Sequence, residues 1–111
     1  VMTSAAMWCH TCVIEAQQFA GAYHSLRNAD VHFITVDIDP NESDEIINAF
    51  RKNYVTPWDY TNAIGGSELI TQFKLDRFEI TYIIDRDGII RYKDNSITNT
   101  EELEQAILSL L

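Results

Sequence analysis

Two cysteines occur in the 111-residue chain, and they stand two residues apart in the run Trp8-Cys9-His10-Thr11-Cys12. A thiolate is both the nucleophile of disulfide exchange and a soft metal ligand, so a pair at this spacing points to one of those two chemistries. A disulfide scaffold is excluded, because it would spread four or more cysteines along so small a chain, and a loop closed by two neighbours staples nothing. The apolar positions Cys12, Ala16, Phe19, Ala20, Tyr23 and Leu26 recur at spacings of three and four and predict a helix over about 11–27. Cysteines two residues apart across the first helical turn can bond to each other. The first of them sits where unpaired N–H groups and the positive end of the dipole favour a thiolate. Cys9 is therefore expected to attack and Cys12, one turn further in, to resolve the mixed disulfide. A protonated His10 between them would stabilise the Cys9 thiolate and favour the reduced form. Glu15 is the only carboxylate from Val1 to Ala29. Partly buried, it would have a raised pKa and could carry protons to and from Cys12.

The elements that must position these groups follow from periodicity. Residues 31–38 (VHFITVDI) are β-branched and almost continuously apolar, as suits a strand covered on both faces. Ser43 as cap and the stripe Ile46, Ile47, Phe50, Tyr54 predict a helix over 43–54, and a short helix follows over 67–74 after a polar loop beginning at Thr56-Pro57-Trp58. Trp58 in that loop is expected to pack in the core. Residues 79–85 and 89–93 flank Arg86-Asp87-Gly88 and predict an antiparallel hairpin. Thr100 caps a last amphipathic helix with Glu101 and Glu102 at its positive end. This order predicts an α/β unit, residues 1–111 as a single domain, with a central mixed sheet flanked by helices. A helix starting so early ahead of a buried strand needs a preceding strand, and only Val1–Ser4 remain for it. The chain is thus expected to begin inside a central strand that is cut short.

Composition narrows the function. Eight basic against 17 acidic side chains give a net charge of −9, which argues against binding to a phosphate backbone. The clusters Asp37, Asp39, Glu42, Asp44, Glu45 and Glu101, Glu102, Glu104 are expected to form solvated faces remote from the sulfurs. No apolar run reaches the roughly 18 residues of a spanning helix. Val1–Trp8 carries no basic residue and shows no secretory signal, which leaves the compartment open.

Taken together, Trp8-Cys9-His10-Thr11-Cys12 at a helix start, the element order behind it and the hairpin Thr81-Tyr82-Ile83-Ile84-Asp85-x-x-Gly88 resemble the thioredoxin superfamily. Cys12 followed by Glu15 is similar to the CxxCxxE pattern of TlpA-like thiol-disulfide oxidoreductases. The resemblance implies a thioredoxin-like fold and exchange of a Cys9–Cys12 disulfide or dithiol with protein thiols, fed by an upstream dithiol reductant or oxidant. It implies no bound cofactor, no metal, a monomer, and an extracytoplasmic setting, with a membrane reached only through an anchor outside this chain. By the same resemblance Cys9, Cys12 and Glu15 are the catalytic residues, Glu15 shuttling protons. His10 and Thr11 tune the potential, and Trp8, Ile80 and Thr81 lie where substrate is gripped. One departure stands out: Ile80 occupies the place of the family's cis-proline. A cis bond before a residue other than proline costs about 2.5 to 4 kcal/mol, so a trans peptide is expected there. That weakens the family's backbone grip on substrate and removes a ring that helps keep metals from the sulfurs.

Other classes fit the residues less well. Sco-like copper assembly factors share the paired-cysteine helix start, but their pattern has three residues between the cysteines and a histidine before the third strand. No histidine occurs from Val55 to Leu111. A redox-silent protein-binding module has little use for both cysteines. Peroxiredoxins place a threonine three residues before the peroxidatic cysteine, where this chain has Ala6 before Cys9 and Cys9 before Cys12. Covalent haem is excluded by Val13 after Cys12, and a closed zinc site lacks a second ligand pair.

Overall fold

A computed structural model describes all residues, Val1–Leu111. The chain runs β1 (Met2–Ala5), α1 (His10–Leu26), β2 (Ile34–Asp37), α2 (Asp44–Tyr54), β3 (Asp59–Thr61), α3 (Ser67–Phe73), β4 (Thr81–Ile84), β5 (Ile90–Asp94) and α4 (Thr100–Leu108). The five strands form one sheet in the order β3-β2-β1-β4-β5. β2 pairs in parallel with both β1 and β3, while β4 runs antiparallel to β1 and β5. This is the mixed sheet flanked by helices that the periodicity predicts, with β1 at its centre.

The side-chain alternation of the strands sorts the core into two layers. On one face Ala16, Phe19, Ala22 and Leu26 of α1 pack with Phe33, Phe50, Trp58, Ile83 and the α4 residues Leu103 and Ile107. On the other, Met2, Val36, Ile80 and Tyr82 pack with Leu75, and Leu69, Ile70 and Phe73 of α3 close over them. Trp58 is buried as expected, and its indole N–H donates to the Thr35 hydroxyl at 2.8 Å. Burying a tryptophan beside a polar acceptor satisfies its one donor and lets the whole ring contribute apolar area.

Several boundaries differ from the sequence reading. The strand over 31–38 is shorter, Ile34–Asp37, and the polar loop after Trp58 contains the edge strand β3, whose Asp-Tyr-Thr sequence has no apolar alternation to reveal it. In α2, Ile47 and Phe50 are buried while Ile46 and Tyr54 are exposed, because the helix lies at the rim of the sheet and only a narrow stripe reaches the core. The cap of α4 is Asn99, whose side chain accepts the Glu102 N–H at 2.9 Å. Thr100 is the first helical residue and donates its hydroxyl to the Gln18 carbonyl of α1 at 3.0 Å. The strand for which only four residues remained is β1, equal in length to β2 and paired with it at every position.

Candidate functional site

The sulfurs sit just past the C-terminal end of β1. The chain turns at Ala6, whose carbonyl accepts the Cys9 N–H at 3.1 Å, and enters α1 with Cys9 as the capping residue. In its extended backbone conformation (φ −81°, ψ 117°) the Cys9 Sγ accepts the Cys12 N–H at 3.3 Å. A capping sulfur in contact with an orphan helix N–H is stabilised most when it is ionised. The first turn of α1 itself holds no acid. Both thiols are free, Cys9 at 7% exposure and Cys12 at 3%. Burial, with the Cys9 hydrogen bond second, pushes the Cys12 thiol far above its usual range, so Cys12 stays protonated until a base assists it. The two sulfurs thus sit in different environments, Cys9 at the helix cap and Cys12 enclosed one turn further in.

Glu15 is fully enclosed, at 2% exposure, one turn below Cys12. Its carboxylate accepts the Thr81 hydroxyl at 2.7 Å and the Thr98 N–H at 2.9 Å. Desolvation outweighs those two hydrogen bonds and pushes its pKa up to about 7. A cavity of about 10 Å³ is lined by Cys12, Glu15, Ala16, Thr3, Thr35 and Tyr60. That is room for about one water in a space that both the acid and the inner thiol line.

Ile80 and Thr81, expected where substrate is gripped, are both buried, at 2% and 0% exposure. Their side chains turn inward, Ile80 into the α3 layer and Thr81 onto Glu15, because β4 alternation sends neighbours to opposite faces. No peptide bond in the chain is cis, as expected for Ile80. Thr81 therefore belongs to the site as the residue that holds Glu15.

The group that faces the sulfurs from this side is Glu79, which the sequence reading missed. Its carboxylate accepts from the Cys9 thiol at 3.9 Å, and one of its oxygens lies within 4.8 Å of both sulfurs. Glu15 is thus not the only acid near the cysteines. Glu79 adopts φ 67°, a left-handed conformation that costs a residue with a Cβ about 1–2 kcal/mol. Ser4 of β1 holds the turn in place. Its carbonyl accepts the Glu79 N–H at 2.9 Å, and its hydroxyl accepts the Ile80 N–H at 3.0 Å and donates to the Arg77 carbonyl at 2.7 Å. Burial raises the Glu79 pKa, and the Cys9 hydrogen bond opposes that rise. The one available sequence signal was a charged residue in the position before the missing proline.

Trp8 stands beside Cys9 at 63% exposure, packed edge-on to Phe78 with ring centroids 4.9 Å apart, and its indole N–H donates to Asp39 at 2.7 Å. The Met7 N–H donates to Glu42 at 2.7 Å. The acidic cluster after β2 is therefore not remote from the sulfurs, as the sequence suggested, but fastens the two residues that precede Cys9. Asp37 of that cluster is wholly buried, and burial with the neighbouring Glu42 charge pushes its pKa up to about 7. The Thr11 hydroxyl lies 3.4 Å from the Cys9 sulfur, within hydrogen-bond reach, whereas His10 is exposed and makes no hydrogen bond. No histidine joins the two sulfurs and Glu79, and His32 pairs with Asp59 at the β3 edge, so the cysteine–histidine pattern of the copper reading is not assembled.

Comparison with known proteins agrees with this arrangement. Residues 1–93 match the AhpC/TSA family. No curated protein sequence matches the chain. Among solved structures, StoA from Bacillus subtilis superposes with a TM-score of 0.81 at 18% identity, over 95% of this chain and 78% of its own. A thiol:disulfide interchange protein of the thioredoxin family from Chlorobium tepidum gives 0.85 at 15% identity, over 98% and 77%. A secreted disulfide oxidoreductase of Mycobacterium tuberculosis, homologous to DsbE, gives 0.81 at 14% identity, over 98% and 79%. The fold is the thioredoxin fold that the element order predicted.

Proposed function

Because the chain belongs to the AhpC/TSA family and carries a free cysteine pair at the start of α1, we propose that it is a thiol-disulfide oxidoreductase. The observation that carries this reading is the contact between the Cys9 sulfur and the Cys12 N–H at 3.3 Å. It favours ionised Cys9 as nucleophile and keeps the two sulfurs within reach of each other. In this reading Cys9 attacks one sulfur of a partner disulfide and forms a mixed disulfide, and Cys12 attacks Cys9 to release the reduced partner. The reverse reaction oxidises a partner dithiol. Glu15, enclosed beside Cys12 with a pKa close to 7, takes and returns the Cys12 proton, and Thr81 and Thr98 fix its position.

Thr11 and His10 tune the couple, Thr11 by contact with Cys9. Trp8, exposed at the rim, is the surface that a protein partner meets first. The partners are protein thiols and disulfides, with an upstream dithiol donor or acceptor to reset the pair, and the chain acts as a monomer without a bound cofactor. An extracytoplasmic setting is supported by the secreted relative; no helix of the chain is long and apolar enough to cross a membrane.

The test is trapping. A Cys12→Ser variant is expected to accumulate mixed disulfides through Cys9, resolved on non-reducing gels and lost on adding reductant. If the variant traps no partner and the parent chain reduces no disulfide, the oxidoreductase reading is wrong. A peroxidase reading gains nothing from the structure, since Ala6 offers a buried methyl where a hydroxyl is required.

A further inference from the structure

We propose that Glu79 is a second acid–base group of this site, acting on Cys9 as Glu15 acts on Cys12. The inference rests on the oxidoreductase reading and adds to it the proton path of the attacking sulfur. Three observations carry it. The Glu79 carboxylate is the hydrogen-bond acceptor of the Cys9 thiol at 3.9 Å. Glu79 itself is in no ion pair, and Arg77 of the same turn reaches toward Asp76 at 3.9 Å. Its backbone is held in a left-handed conformation between two residues that are themselves fixed, Phe78 against Trp8 and Ile80 on Ser4. Strain held in this way at a reactive group is a mark of placement for function.

The groups that face Glu79 are few. From α1 come Cys9, Cys12 and, further in, Glu15, whose pKa the Glu79 charge raises. From β1 comes only the uncharged Ser4, and from its own turn Asp76 and Arg77. Glu79 and Cys9 therefore share one proton as a pair. With the shared proton on Glu79, Cys9 is the thiolate that attacks a partner disulfide. The Cys9–partner S–S bond forms, the partner's own S–S bond breaks, and the departing sulfur takes the proton from Glu79. When Cys12 then attacks Cys9, the second partner sulfur leaves with the proton that Cys12 loses. Overall the partner disulfide gains two electrons and two protons, and the chain is oxidised to its Cys9–Cys12 disulfide.

The experiment compares the parent chain with Glu79→Gln and with Glu79→Asn, a neutral residue that tolerates the left-handed backbone. The reduced proteins are mixed with two disulfides: oxidised glutathione, whose leaving thiol needs a proton, and an aromatic disulfide, whose acidic leaving thiol does not. At pH 6 both variants are expected to react with oxidised glutathione at least about tenfold more slowly than the parent, a conservative floor beneath the roughly hundredfold or greater effect of a general acid–base group. With the aromatic disulfide they should stay within about threefold. A merely structural role would slow both reactions alike and would be relieved in Glu79→Asn. A carboxylate that only repels the thiolate would make the variants faster. Either result, or unchanged rates in variants beside an active parent, overturns the assignment of Glu79 alone. A parent that exchanges with neither disulfide overturns it together with the oxidoreductase reading.

Discussion

A carboxyl held with its pKa near 7 inside the fold makes stability a function of pH, and Glu15→Gln reads that dependence directly. The folded chain binds this proton more tightly than the unfolded chain, because burial raises the pKa from 4.5 to about 7. The stability that Glu15 contributes is therefore fully present below pH 4.5 and is withdrawn as pH rises through 7. At 1.36 kcal/mol per pKa unit, the shift amounts to about 3 kcal/mol lost across that window. Glutamine preserves the contacts: its oxygen accepts the Thr98 N–H, and its amide donates to a rotated Thr81 hydroxyl. Urea unfolding under reducing conditions, repeated from pH 4.5 to 8, measures both proteins. The parent also carries a contribution of the same sign from Asp37, so its curve alone does not isolate Glu15, but the difference between the two curves does. Glu15→Gln is expected to lose about 3 kcal/mol less than the parent over the window, and so to be the relatively more stable protein at pH 8. Parallel curves would refute the claim that Glu15 is held near neutrality by desolvation.

Two further perturbations probe other parts of the chain. Val55 ends α2 in a left-handed conformation (φ 52°) at 66% exposure, a costly state for a β-branched side chain, and Val55→Gly is expected to raise stability by about 1 kcal/mol in the same unfolding assay. Trp8→Ala removes the exposed ring beside Cys9, and we expect exchange with a protein disulfide to slow several-fold while exchange with oxidised glutathione stays within about twofold, measured as second-order rates.

The sequence was informative wherever one local rule decided the outcome. The three-and-four spacing of Ala16, Phe19, Tyr23 and Leu26 marked α1, Ser43 marked the start of α2, and Arg86-Asp87-Gly88 marked the β4–β5 hairpin. The cysteine pair was legible because its chemistry depends on a helix start only four residues long, Cys9 to Cys12. Contacts between distant segments were hidden. Glu79 lies 70 positions from Cys9 and reaches it only because a left-handed turn, held by Ser4 of the central strand, aims it there. The cluster from Asp37 to Glu42 looked like a solvated run of acids because nothing local reveals that parallel pairing of β1 and β2 brings the loops after both strands together. β3 was missed for a related reason: three residues at a sheet edge are specified by their partner strand rather than by their own pattern.

The cap of α1 ties the fold to the state of the sulfurs. Cys9 both closes the first turn of the helix and undergoes the chemistry, so the strength of the cap changes when its sulfur changes. An anionic sulfur is a far better acceptor for the Cys12 N–H than a sulfur bound to another sulfur, and a good cap contributes about 1 kcal/mol. The helix start is thus tightest when Cys9 is a thiolate and loosens on oxidation. By linkage, the same energy makes the dithiol easier to form, raising the potential of the couple by about 20 mV. A residue that stiffened this turn without using the Cys9 sulfur would remove that coupling and leave the helix indifferent to electron transfer.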